Sequence, residues 1–195
     1  MLVVDFLRHG ELQGGIKYRG TLDEALTGNG RKQMEEVWAK VEQEVTMITC
    51  SPLSRCAQPA QAWAKEANIP LQLEQQIAEL NYGLWEGLEA KQIQQQFPSQ
   101  LEAWREDPTH LTPPQGESMQ SFAKRTALFW QKLIQNHDDE HVLIVAHSGS
   151  IRLLLTHALA APIKSTRHFA MPYACWSRVE ISHKQQAQLV FHARV

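Results

Sequence analysis

Cysteine is scarce in this chain, and the three present, Cys50, Cys56 and Cys175, are odd in number and show no metal-ligand spacing. Neither a disulfide framework nor a cysteine-held metal is therefore expected, and the usage fits a reducing cytosol. Long apolar runs are also missing: none approaches the roughly 20 residues that a bilayer-spanning helix needs. The N-terminus has no basic leader, and Asp5 interrupts its short apolar run, so no signal peptide is expected. A charge excess is absent as well. The formal net charge of −2 offers no broad attraction to nucleic acid or to an anionic membrane, and neither is expected as a partner. Any anion site must then be a local cluster of cations. There is no internal repeat, and the glutamine-rich run at 92–96 is too short to signify. What remains reads as globular, with 43% hydrophobic residues against 21% charged in 195 residues, a length that suits one large domain. We expect a soluble, cytoplasmic chain with a single domain over residues 1–195.

Strand-like and helix-like periods alternate along it. Residues 2–7 are apolar enough for a strand buried on both faces, and a long polar loop with several glycines follows. Met34, Val37, Trp38 and Val41 keep helical spacing, which predicts a helix over about 29–44 with Thr27 as its cap. A second buried strand is predicted over 45–50. Ser51 and Pro52 then read as cap and first residue of a helix whose buried face carries Leu53, Cys56, Ala60, Trp63 and Ala67, with a kink at Pro59. Residues 71–76 predict an edge strand, 88–105 a helix broken at Pro98, and 106–118 a loop. Met119, Phe122, Phe129, Trp130, Leu133 and Ile134 predict a helix to about residue 135. A third buried strand is expected at 141–146, a helix directly after it, and an antiparallel hairpin at the C-terminal end. The alternation argues for a three-layer α/β/α fold around a mostly parallel sheet, in which ligands bind beyond the carboxyl ends of the strands.

In that fold, chemistry gathers at one rim. Arg8, His9 and Gly10 leave the first strand, Arg55 lies in the first turn after the second, and His147 leaves the third. Two guanidiniums, two imidazoles and the free amides of two helix N-termini suit a compact, multiply charged anion, phosphate above all. Binding alone does not call for a central histidine. An imidazole with a free nitrogen is a nucleophile, and neighbouring arginines keep it neutral and reactive while they neutralise the phosphoryl oxygens. On this account no metal or other cofactor is needed. An alkoxide leaving group needs a proton, and a carboxylic acid beside a bound phosphate dianion retains one near neutrality. Glu79, in a turn-rich stretch with Gly83 and Gly87, is the preferred candidate, with Glu86 and Glu11 open on the same grounds.

"LRHGE", "SPLSRCAQPA", "ELNYGLWEG" and "VAHSG", in that order, resemble the histidine phosphatase superfamily, whose fold is phosphoglycerate-mutase-like. The resemblance covers almost the whole chain. It implies His9 as the phosphorylated nucleophile, Arg8, Arg55 and His147 as the phosphate pocket with Gly10 beside them, and Glu79 as proton donor. Within the superfamily, "YRGTLDEALTGNG", "PPQGESMQSF" and the late "CWS" are similar to bacterial alpha-ribazole phosphatases. That implies a small phosphomonoester substrate, the 5′-phosphate of alpha-ribazole, removed late in cobalamin nucleotide-loop assembly. Two positions depart from the common pattern: Leu12 stands where many members carry threonine, and Gly15 where an asparagine falls. Both tell against a sugar-phosphate mutase.

Rival readings are weaker. Cys50 and Arg55 in "CSPLSR" suggest a cysteine-phosphatase cradle, but the loop is one residue short, has no glycine and contains Pro52, which lacks an amide donor. Two more rivals are a non-catalytic phosphate sensor on the same fold and a histidine phosphatase for a sugar phosphate or nucleotide. Glu117 and Ser118 are expected to serve the following helix start as negative charge and cap. Tyr18, Tyr82, Trp85 and Trp176 could stack on a substrate ring or pack under loops. His137 and His141 have zinc-like spacing, but flank "DDE" in an apparent turn and are expected in solvent.

Overall fold

Strand β1 (Leu2–Arg8) lies near the centre of a six-stranded sheet in the computed structural model, which describes residues 1–195. The sheet runs β3 (Leu71–Leu73), β2 (Met47–Cys50), β4 (His141–Ala146), β1, β5 (Trp176–Ile181), β6 (Ala187–Arg194). The first four strands in that order are mutually parallel, while β5 is antiparallel to β1 and β6 to β5. Helices α1 (Gly28–Val41), α2 (Ser54–Ala67), α3 (Ala90–Gln96), α4 (Pro98–Glu106), α5 (Met119–Asn136) and α6 (Ser148–Ala158) complete it.

Alternation along the strands creates the layers. Val142, Ile144 and Ala146 of β4 pack with Phe129 and Trp130 of α5 and with Ile151 and Leu154 of α6. Leu143 and Val145 point the other way, against Met34, Val37 and Trp38 of α1 and Trp63 of α2. Trp38 and Trp63 stack at 5.3 Å. Burying each large side chain contributes about 1.5–3 kcal/mol against about 0–1 for an exposed ion pair, so these two cores, more than surface charge, hold the layers together.

Register sets the height of the functional rim. Arg8 pairs with Ala146, and Cys50 with Val145, so β1, β2 and β4 end level with one another. The residues that follow these ends, His9, Ser51 and His147, therefore emerge side by side at the carboxyl edge of the sheet. The β1–α1–β2 crossover passes over the position later filled by β4, which places His147 between the other two.

Thr27 caps α1 by accepting from the Gly30 amide at 2.9 Å, and Ser118 caps α5, both as expected. The start of α2 differs. It begins at Ser54, three residues after the expected cap, and Asp23 from the long loop accepts from the Ser54 amide and hydroxyl at 2.9–3.0 Å. The Ser51 hydroxyl instead accepts from the Leu53 amide at 3.3 Å, ahead of the helix, and from His147 at 2.7 Å. The helix runs on through the buried Pro59. The expected solvent position of His141 is also wrong. That residue opens β4 on the face shared with Asp5 and is buried, its Nε2 2.7 Å from the Asp5 carboxylate, to which Arg178 donates twice at 2.9 Å. Burial alone would raise the Asp5 pKa; the bonds from His141 and Arg178 outweigh it and hold the carboxyl below its ordinary range.

Candidate active site

His9 sits directly after β1 with its backbone held on both sides, its amide donating to Ala146 and its carbonyl accepting from Ala174. Its Nδ1 lies 2.9 Å from the Gly10 carbonyl, so in the neutral ring Nδ1–H is the donor and Nε2 carries the lone pair. Gly10 permits this close packing. A Cβ there would meet the Gly30 carbonyl oxygen at 2.0 Å, and α1 could not approach. Burial, then the charges of Arg8 and Arg55, push the His9 pKa well below the ordinary histidine value. The ring is therefore uncharged at neutral pH.

His147 lies beside it, the two ring centroids 5.3 Å apart. Arg55 Nε donates to His147 Nδ1 at 3.2 Å, which makes Nε2–H the donor to Ser51 Oγ at 2.7 Å. Burial and the Arg55 charge also lower the His147 pKa well below its usual value. Arg55 is itself buried, its two Nη atoms donating to the carbonyls of Leu22 and Gly20 at 2.9 Å. The four basic residues named from the sequence are thus brought together, but in two ranks. Arg8 and His9 line an open cavity of ≈ 270 Å³; Arg55 and His147 stand behind them and do not line it.

Of the three candidate acids, Glu79 lines that cavity. Its carboxylate accepts from its neighbour's amide, Leu80, at 3.0 Å and from the Gly149 amide in the first turn of α6 at 2.9 Å. Glu86 is occupied elsewhere, accepting from the amides of Thr21, Leu22 and Tyr82, and Glu11 binds Thr27 and Asn29. Arg8 donates to the Met171 carbonyl and stacks over Tyr173 at 4.2 Å, while its buried Nε has no partner.

The sequence reading missed Lys17, Arg19, Ser148, Arg152 and Tyr173, all of which line the same cavity. Lys17 and Arg19 are paired with Glu24. Arg152 is not paired with any carboxylate; its Nε donates to Phe169 O at 3.0 Å. Ser148 and Arg152 were findable, since they are four residues apart on the helix that follows His147 and so share its face. Tyr173 lies in an aperiodic stretch that carries no signal. Leu12, buried, forms an apolar part of the wall, and Gly15 lies at an open loop tip.

Tyr18, Tyr82, Trp104 and Arg152 also border a second cavity of ≈ 220 Å³, floored by Leu80, Met119, Phe122 and Leu153. The two cavities adjoin across these four shared residues, the first rich in cationic side chains and the second floored by apolar ones. The other two candidate rings pack instead: Trp85 is buried with Ile93 and Leu101, and Trp176 meets Phe191 edge-on at 4.6 Å. No helix is long and apolar enough to cross a membrane.

The family model of the histidine phosphatase superfamily (branch 1) matches residues 4–193, and the chain belongs to that superfamily. It is 27% identical over 191 residues to the adenosylcobalamin/alpha-ribazole phosphatase of Escherichia coli (strain K12), covering 96% of this chain and 94% of that one. The crystal structure of the alpha-ribazole phosphatase from Shigella flexneri superposes with a TM-score of 0.84 at 26% identity, over 98% of this chain and 96% of that one. A mycobacterial glucosyl-3-phosphoglycerate phosphatase gives a TM-score of 0.88 at 25% identity, over 99% of both chains. These relatives support a phosphatase activity and confirm the α/β sheet with its antiparallel C-terminal strands.

Proposed function

We propose that this chain is a phosphomonoesterase that works through a phosphohistidine at His9, in a single domain over residues 1–195. The observation that carries the reading is the locked tautomer: with Nδ1–H tied to Gly10, Nε2 is the one lone pair on a neutral ring that lines the cationic cavity. Nε2 attacks phosphorus as the ester P–O bond breaks, and the carboxylic acid of Glu79 gives its proton to the departing oxygen, releasing an alcohol. Water then attacks the phosphorus of phosphohistidine, its proton returning to Glu79, and phosphate leaves with the Nε2 lone pair restored to the ring. Arg8 and Arg152, neither paired with a carboxylate, neutralise the phosphoryl oxygens. Arg55 and His147 act from behind, fixing the electrostatics and the placement of the His9 ring.

For the substrate we propose alpha-ribazole 5′-phosphate. The apolar cavity beside the cationic one supports a leaving group with a flat apolar ring, which Tyr82 and Trp104 could face while Met119 and Phe122 floor it. The alpha-ribazole phosphatases among the relatives point the same way. A second reading has its own observation. Arg105 and Arg167 also border the apolar cavity, no carboxylate does, and a phosphomonoester with a carboxylate in its leaving group would use that charge.

One panel tests both. Turnover of alpha-ribazole 5′-phosphate, nucleoside monophosphates, sugar phosphates and carboxylated phosphomonoesters is compared in the presence of chelator, and the protein is acid-quenched and assayed for acid-labile phosphorus. We expect alpha-ribazole 5′-phosphate to be preferred and the label to map to His9. Equal or better rates on sugar phosphates or carboxylated esters remove the substrate assignment. Absence of turnover on every ester across a range of pH removes the enzyme and favours a phosphate sensor.

A further inference from the structure

We infer that Arg125 and Glu117 form a positioning pair that sets the place of Glu79. Arg125 lies on α5, outside both cavities, yet all five of its N–H donors converge on the acid's surroundings. Nη1 donates to the carbonyls of Gln76 and Ala78 at 2.7 Å, and Nη2 to the carbonyl of Glu79 itself at 3.0 Å. The remaining donors, on Nε and Nη2, take the Glu117 carboxylate side-on at 2.7 and 2.9 Å. The guanidinium also stacks on Phe122, its central carbon 4.4 Å from the ring centroid.

The arrangement has a direction. Residues 76–79 run through the end of the short 3-10 turn after β3 (Gln75–Ile77) and out of it, where no sheet or long helix holds the backbone. Three of their carbonyls are held by one planar fork, and the fork is held by Glu117, whose own amide donates to Asn81 at 2.8 Å on the far side of Glu79. The acid is thus pinned at its backbone by α5 and at its carboxylate by the Gly149 amide of α6. The carboxylate of Glu117, expected from the sequence to serve the start of α5 as negative charge, is bonded to Arg125. A lysine could not substitute, because a point-like ammonium cannot span three carbonyls and a carboxylate.

The inference rests on Glu79 being the proton donor, and its test separates the two claims. Values of kcat/KM are measured for Arg125→Lys, Glu117→Gln and Glu79→Gln on p-nitrophenyl phosphate, whose leaving group departs without a proton, and on a simple alkyl phosphate, whose leaving group needs one. For the two positioning variants we expect a loss of about tenfold or more on the alkyl ester, from a displaced acid, and a loss of under about threefold on the nitrophenyl ester. Glu79→Gln should show the same asymmetry, only larger. Equal losses on both esters, or none on either, in folded Arg125→Lys or Glu117→Gln overturn the positioning role while leaving Glu79 as donor. Glu79→Gln without the asymmetry overturns the donor itself. Should Arg125→Lys fail to fold, Glu117→Gln keeps the guanidinium and its three carbonyl bonds and decides alone.

Discussion

The hydroxyl of Ser51 accepts from Nε2–H of His147 at 2.7 Å, while Arg55 Nε donates to Nδ1 of the same ring at 3.2 Å. These two bonds fix both tautomer and orientation of an imidazole whose centroid lies 5.3 Å from that of His9. Ser51→Ala should therefore fold normally and lose about fivefold in kcat/KM, the effect of one hydrogen bond of about 1 kcal/mol. Steady-state kinetics check it. An unchanged kcat/KM would mean that the orientation of His147 does not reach the nucleophile.

Gly149 offers a direct handle on the acid. A Cβ at this position would come within 2.3 Å of Glu79 Oε1, the movable end of a side chain, so Gly149→Ala displaces the carboxyl without preventing folding. We expect a loss of about 10–100-fold on alkyl phosphates and a much smaller one on p-nitrophenyl phosphate. Parallel assays on both esters read it.

Cys50 ends β2 fully buried, and burial pushes its thiol pKa up to about 12. No thiolate is available to act as nucleophile. Cys50→Ser should retain turnover and cost only stability, about 1–3 kcal/mol for a hydroxyl buried without a partner. His9→Ala should abolish both turnover and acid-labile phosphorus. The reverse pattern would restore the cysteine mechanism.

Acid should weaken the fold before it silences the nucleophile. His9 and His147 have pKa values pushed well below the ordinary one in the folded chain, so only the unfolded chain takes up their protons as pH falls through about 6.5. Below that pH, stability should drop by about 1.4 kcal/mol per pH unit for each histidine, while kcat/KM shows no inflection near 6.5 from His9 protonation. Asp5, whose folded pKa is lowered, adds its own loss only nearer pH 4. Urea titrations at pH 7.5, 6.5 and 5.5 measure the slope, and His9→Asn should make it shallower by one proton.

The Asp5 cluster makes a separate prediction. Asp5→Asn replaces the buried carboxylate between His141 and Arg178 with a neutral amide and leaves Arg178 only Glu44, at 3.3 Å, as a charged partner, at an expected cost of about 1.5–3 kcal/mol. The position is three residues before Arg8 along β1, about 10 Å away, so kcat of the folded protein should not change. Denaturant melts and kinetics on the same sample separate the two effects.

The layer order and the strand ends were legible because both rest on local signals. Apolar runs of strand length marked β1, β2 and β4, and the basic residues at or soon after their ends marked the rim. Glu79 was singled out but could not be separated from Glu86 and Glu11, since all three are carboxylates in loops; their hydrogen-bond partners, drawn from distant segments, separate them. His141 was misread because its neighbours spell a turn, while its side chain belongs to a face defined by the register of β4 against β1.

From residue order alone came the alternation of elements, the parallel sheet and the types of side chain at its carboxyl edge. Those depend on periodicity and on neighbours a few positions apart. Which cations meet the cavity and which stand behind it, which carboxylate enters it, and which arginine holds that carboxylate in place were decided only when the chain closed on itself. Each of these depends on hydrogen bonds between residues dozens of positions apart, and no local pattern encodes their geometry.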